Sequence, residues 1–120
     1  NELMHTGESI PLVDGDMDVA EAILEMTAKA FGCVGVRDNM NQLIGIITDG
    51  DLRRHMANNL LRRKVKDVMT ASPKVIRPDA LAAEALWMMN ENAITSLFVV
   101  EQGKIRGIIH IHDCLRAEVA

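Results

Sequence analysis

Gly45-Ile-Ile-Thr-Asp-Gly-Asp-Leu-Arg-Arg54 returns 62 residues later as Gly107-Ile-Ile-His-Ile-His-Asp-Cys-Leu-Arg116. The glycine, both isoleucines, the aspartate and the last arginine are identical in the two stretches. Each reads as an apolar strand that runs into a turn and then into a helix carrying a carboxylate near its start.

Working outward from this pair, the repeat widens. Asp16, Ala20, Glu21, Ala22, Met26, Ala30 and Val36 fall on Asp79, Ala83, Glu84, Ala85, Met89, Ala93 and Val99 at an offset of 63, one residue being lost in the turn that follows. Identities spread along both halves mark two copies of one unit. The first copy with its connector is expected over residues 1–63 and the second over 64–120.

Each copy opens with a short β-like piece, Ile10-Pro-Leu-Val13 or Lys74-Val-Ile76. A helix follows. In the first copy Val19, Ile23, Met26 and Ala30 share one stripe, with Ala20, Leu24, Thr27 and Phe31 beside it. Asp16 or Asp18 is expected to cap that helix, and Asp18-Val-Ala-Glu21 has capping-box form. In the second copy Pro78-Asp79 is expected to start the helix, with Leu81, Ala82, Ala85, Leu86 and Met89 as its stripe. Two hairpin strands come next: Cys33–Val36 with Leu43–Ile47 around Asp38-Asn-Met-Asn41, and Ser96–Val100 with Ile105–Ile109 around Glu101-Gln-Gly103. A second helix begins near Asp51 and near Asp113. The fold class is therefore α+β, β-α-β-β-α twice over.

The chain has 120 residues, 48% hydrophobic and 25% charged, within the range of ordinary globular proteins. Aromatics are 2% (Phe31, Trp87 and Phe98, with no Tyr), so the core is aliphatic, filled by Ile, Leu, Val, Ala and Met. Met26, Met88 and Met89 are expected as core or interface fillers, and an exposed Trp87 would point to a dimer contact. A net charge of −4 and the scarcity of aromatics argue against a nucleic-acid partner. No apolar run is long enough to span a bilayer, and the Asn1-Glu-Leu-Met-His-Thr6 start lacks signal-peptide character. Cys33 and Cys114 are expected as reduced thiols in a cytoplasmic protein. The basic stretch Arg62-Arg-Lys64 with Lys66 is expected as a solvated connector face rather than an anion site.

The unit resembles a CBS domain. The resemblance rests on the Gly-hydrophobic-hydrophobic-Thr-x-x-Asp pattern of 45–51 and on Asp67-Val-Met-Thr70, which looks like the family's lead-in segment. Leu3-Met4-His-Thr6 looks like the same segment before the first copy. It implies a Bateman-type module, two CBS repeats in a pseudo-twofold pair. More narrowly, Met4-His-Thr-Gly7, Thr48–Arg54 and His110–Ala117 are similar to the tail of bacterial arabinose-5-phosphate isomerases. Those enzymes join an N-terminal SIS domain to two CBS repeats and interconvert arabinose 5-phosphate and ribulose 5-phosphate for Kdo, lipopolysaccharide or capsule synthesis. The resemblance implies that this chain is the regulatory part of such an isomerase, without its SIS domain, and that CBS pairs form homodimers within a larger homo-oligomer.

A helix N-terminus offers unpaired N–H groups and partial positive charge to a phosphate, and a carboxylate there can accept ribose hydroxyls. The CBS resemblance gives Thr48 and Asp51 this nucleotide-holding role. Arg53 and Arg54 are candidate phosphate partners. Thr-x-x-Asp is equally a plain helix cap, and both readings stand together. In the second copy His110 and His112 replace Thr48 and Gly50 while Asp113 is kept, so the two sites are expected to be inequivalent. The regulatory ligand implied is a nucleotide, either cytidine-activated Kdo or an adenine nucleotide, in a cleft between repeats. His110, His112 and Cys114 alternate as metal ligands do on a strand, but a helix starting within the stretch would spread them, and no metal site is expected. No cofactor is required and no nucleophile–base set stands out, so no catalytic residue is assigned. The rival reading is a structural oligomerisation module that holds no ligand.

Overall fold

The computed structural model describes residues 4–57 and 59–119. Leu3 of the first lead-in segment and Asn58 of the connector lie outside them. The elements are β1 Leu12–Asp14, α1 Val19–Lys29, β2 Cys33–Arg37, β3 Leu43–Thr48, α2 Asp49–Arg54, α3 Val65–Val68, β4 Thr70–Ala71, β5 Val75–Ile76, α4 Ala82–Glu91, β6 Ser96–Glu101, β7 Lys104–His110 and α5 Ile111–Val119. Among the described residues, five α-helices and two sheets make this the α+β chain that the repeat implies.

The chain divides into two compact units, Pro11–Pro73 on one side and Asn1–Ile10 with Lys74–Ala120 on the other. In the sequence reading the division falls at 63/64. The packing units instead exchange lead-in segments, so the stretch before each copy folds with the other copy.

In the Pro11–Pro73 unit the sheet order is β1-β2-β3-β4. β1 runs parallel to β2, and β2–β3 and β3–β4 are antiparallel. Cys33, Val34, Gly35 and Val36 of the central strand are all buried, as expected of a strand covered on both faces. α1 contributes Val19, Ala22 and Met26 to the core and leaves Leu24 outside. The stripe expected through Ile23 and Ala30 is thus centred on Ala22. Leu60, Val65 and Val68 of the connector complete this core. The connector is held by backbone hydrogen bonds from Val19 N–H to Arg63 O, Val65 N–H to Met17 O and Lys66 N–H to Gly15 O.

The second sheet is β5-β6-β7, with β5 parallel and β7 antiparallel to β6. Its core is Ile76, Ala85, Met89, Leu97, Val99 and Cys114, with Met4 packed against it. His5 clasps β7 through two backbone hydrogen bonds, His5 N–H to Ile108 O at 2.8 Å and Ile108 N–H to His5 O at 3.0 Å. The likeness of the units reaches irregular details. Both hairpins shift register at the same repeat position, after Val36 and after Val99.

Two helix starts differ from the sequence expectation. Asp18 is the N-cap residue of α1, yet its side chain makes no capping bond. Its carboxylate accepts from Lys64 Nζ at 3.0 Å, and that of Asp16 accepts from Lys66 Nζ at 3.1 Å. α4 begins at Ala82 rather than at Pro78-Asp79, and Asp79 pairs with Arg77 instead. In both places a cation distant in sequence or outside the helix competes for the carboxylate that local pattern assigns to the cap. The same pairs occupy Lys64 and Lys66 of the basic stretch, two side chains that are exposed but bound to their own chain. Trp87 on α4 is 63% exposed. Among the described residues no helix is long and apolar enough to cross a membrane.

Candidate functional site: two carboxylate turns

At the end of β3 the chain turns into α2, and Asp51 is carried inside with only 1% of its surface exposed. Thr48 and Asp51 form a reciprocal capping box. Asp51 Oδ2 accepts from Thr48 N–H at 2.9 Å and Thr48 Oγ1 at 3.2 Å, while Asp51 N–H donates to Thr48 Oγ1 at 3.4 Å. The other oxygen, Oδ1, accepts from Thr70 Oγ1 at 2.6 Å and from the Arg54 guanidinium. Four donors thus meet a carboxylate with about four lone-pair sites. The capping reading of Thr-x-x-Asp is realised in full. α2 is only six residues long, so its dipole adds little.

At the end of β7 the same turn is built from different side chains. Asp113, 5% exposed, accepts on Oδ2 from His110 N–H at 2.9 Å and pairs there with His5 Nε2 at 3.1 Å. Arg116 pairs with Oδ1 as Arg54 does with Asp51. His110 Nδ1 accepts from His112 N–H at 3.1 Å, and the two rings lie with centroids 4.5 Å apart. The His110 ring has its pKa lowered, first by burial and then by His112. Of the sequence candidates, Thr48, Asp51 and Arg54 converge in one turn and His110, His112 and Asp113 in the other. Arg53 is exposed on α2, and no partner of its guanidinium is found among the described residues.

Three participants escape the sequence reading: Thr70, His5 and Arg116. Thr70 pairs with Ile46 and His5 with Ile108, which are equivalent positions of β3 and β7. The signal was the lead-in likeness itself, since aligning Val68-Met-Thr70 with Leu3-Met-His5 sets Thr70 on His5. The glycines explain the close seating. A Cβ on Gly107 would lie 2.7 Å from the His5 carbonyl oxygen and 2.8 Å from Met4 Sδ. A Cβ on Gly45 would strike Met69.

No group of three potential metal ligands comes together among the described residues. Cys114 is fully buried in the core of its unit. Burial pushes the Cys33 thiol up to about 12, so it supplies no thiolate at neutral pH.

The CBS domain family model matches residues 1–58 and again 65–120, nearly the whole chain. The chain belongs to the CBS-domain family. Among relatives of this CBS pair, arabinose 5-phosphate isomerase KdsD of Yersinia pestis is 40% identical over 99% of this chain, and the match covers 37% of that protein. KdsD of Escherichia coli K12 is likewise 40% identical, with the same shares. The CBS pair thus spans little more than a third of the relatives it matches. Two solved structures share the fold. CBSX2 in complex with AMP superposes with a TM-score of 0.83 at 25% identity, covering 98% of this chain and 93% of that one. The CBS-domain protein ATU1752 of Agrobacterium tumefaciens gives 0.80 at 25% identity, covering 91% and 84%.

Proposed function

We propose that this CBS pair is the nucleotide-sensing regulatory part of a bacterial, cytoplasmic sugar-phosphate isomerase acting between arabinose 5-phosphate and ribulose 5-phosphate. The observation that carries the reading is the duplicated turn: a buried aspartate with an exposed arginine three residues on, present in each copy of a CBS pair. The AMP bound by CBSX2 and the likeness to KdsD support it. The ligand is a nucleotide, with cytidine-activated Kdo as a pathway end product and an adenine nucleotide as the general alternative. An attached SIS domain would carry the isomerase chemistry, and the CBS pair would bias it.

The saturation of Asp51 sets how a nucleotide would engage. A ribose hydroxyl can reach that carboxylate only if a present donor leaves. Arg54 is the one to go, because its side chain is 63% exposed while its partner is buried. Once released, its guanidinium is in position to pair with the ligand's phosphate, with Arg53 beside it on α2. Thr48 would stay on the carboxylate as cap. Arg116 plays the same part at Asp113, with His110 and His112 beside it, so the second turn prefers a different ligand or a different affinity.

The test is a thermal-shift screen of the chain against AMP, ATP, CMP and cytidine-activated Kdo. A ligand at a hundred times its Kd stabilises the fold by about 2.7 kcal/mol. The expected outcome is a shift with one nucleotide that Arg54→Ala or Arg116→Ala removes while leaving the unliganded melting temperature nearly unchanged. No shift with any of the four defeats the nucleotide reading. Exposed Trp87 would then favour the second reading, self-association without a ligand, which sedimentation of Trp87→Ala checks.

A further inference from the structure

The two carboxylate turns differ in what caps the helix after them. Thr48 accepts through a hydroxyl oxygen, which keeps its lone pairs at any pH. His110 stands in its place and accepts the His112 N–H through ring Nδ1 at 3.1 Å. An imidazole nitrogen accepts only while it carries no proton, so this bond requires the neutral ring with its hydrogen on Nε2. A second proton would set an N–H against an N–H.

The charged surroundings decide whether that proton is welcome. Among the described residues, the titratable and charged groups that act on the His110 ring include His112, Asp113 and Arg116 on α5 and His5 from the lead-in segment. The His112 ring lies 4.5 Å away by centroids. Asp113 is the one negative group of the four, and it already pairs with His5 and Arg116. We propose that His110 is a proton-operated cap: neutral, it holds the first turn of α5, and protonated, it releases the His112 N–H and loosens the Asp113 turn. The first copy, capped by Thr48, has no such response.

The depressed pKa of His110 agrees in sign. Burial lowers it most, His112 next, with Asp113 opposing and His5 and Arg116 adding small lowering effects. The native state then takes up this proton less readily than the unfolded chain. Its contribution to stability is complete above the unfolded value of about 6.5 and is lost as pH falls from there through the folded pKa. His5 Nε2 also lies 3.1 Å from Asp113 Oδ2 in the same turn, so a variant is needed to isolate the cap.

Nitrogen-15 NMR of the chain, titrated from about pH 8 to about pH 5, reads the cap directly. The His112 amide is expected to move with the same midpoint as the His110 ring and to lose exchange protection as the ring protonates. Urea unfolding over the same range should show the folding equilibrium constant falling about three- to tenfold, the size of a lost cap. His110→Thr, which installs the residue of the first copy, should remove that part of the fall. His112→Ala keeps the backbone donor and should move the midpoint upward without abolishing the response. A His110 ring that titrates while the His112 amide stays still overturns the proposal, as does a His110→Thr chain with the full pH dependence. The amide readout uses the unsubstituted chain, so it decides the matter even if His110→Thr folds poorly.

Discussion

Asp51 shows how fully one side chain can be built into a turn. Its two oxygens take up Thr48, Thr70 and Arg54, and it is buried to 1% exposure. Its donors are unequal in worth. Only the Arg54 end of its pair is exposed, and solvent screening there keeps the contribution of the guanidinium to about 1 kcal/mol or less. The Thr48 N–H and Thr70 hydroxyl bonds end on a buried carboxylate, and hydrogen bonds to charged groups contribute about 1.5–3 kcal/mol each. Asp51→Asn keeps the size but offers one acceptor oxygen and a clashing amide. It should therefore lower stability by about 2–4 kcal/mol in urea titrations, against about 1 kcal/mol or less for Arg54→Ala. Equal effects would mean that Arg54 is a structural tie and not the donor a ligand displaces. The candidate pair Thr48 and Asp51 was legible because capping is a local, three-residue relation. Thr70 was not, because it comes from 19 residues further along the chain.

Among the elements, the hairpins were the most readable. Gln102 and Gly103 both take positive φ, 53° and 82°, the two-residue turn that matches strand twist. In the first copy Asp38 Oδ1 accepts from Met40 N–H and Gln42 N–H, both at 2.9 Å, and shapes the longer turn around Asn41. Helix starts were less readable, for the reason seen at Asp18 and Asp79. Helix ends carry a cost that the repeat duplicates. Ala30 and Ala93, identical in the two copies, both leave their helices in the left-handed region, at φ 62° and 54°. A Cβ in that region is unfavourable by about 1 kcal/mol, and glycine is the usual occupant. Ala30→Gly and Ala93→Gly should each stabilise the chain by about 0.5–1 kcal/mol in thermal melts, less the extra freedom glycine gives the unfolded chain. A loss of stability at both positions would show that the methyl groups contribute packing that outweighs the backbone term.

On the scale of the whole molecule, the exchanged lead-in segments set what can fold by itself. The first core uses Val65 and Val68, both beyond the end of the first sequence copy, and its sheet ends on β4. A fragment 11–73 keeps all of these, whereas a fragment 1–63 lacks them and carries a lead-in that belongs to the other sheet. At about sixty residues a domain has little stability to spare. Fragment 11–73 should unfold cooperatively in urea with native-like amide dispersion, and fragment 1–63 should not. Indistinguishable fragments would show that the exchange contributes nothing to stability. The sequence by itself determined the duplication, the β-α-β-β-α order, the hairpins and the two carboxylate turns, because identity, periodicity and capping are all written within one copy. Only the tertiary structure decided that Thr70 completes the first turn and His5 the second. Each belongs to a short extended segment whose backbone pairs with a strand far away in sequence. Main-chain N–H and C=O groups are alike at every position, so nothing in the segment's own residues states which sheet will receive it.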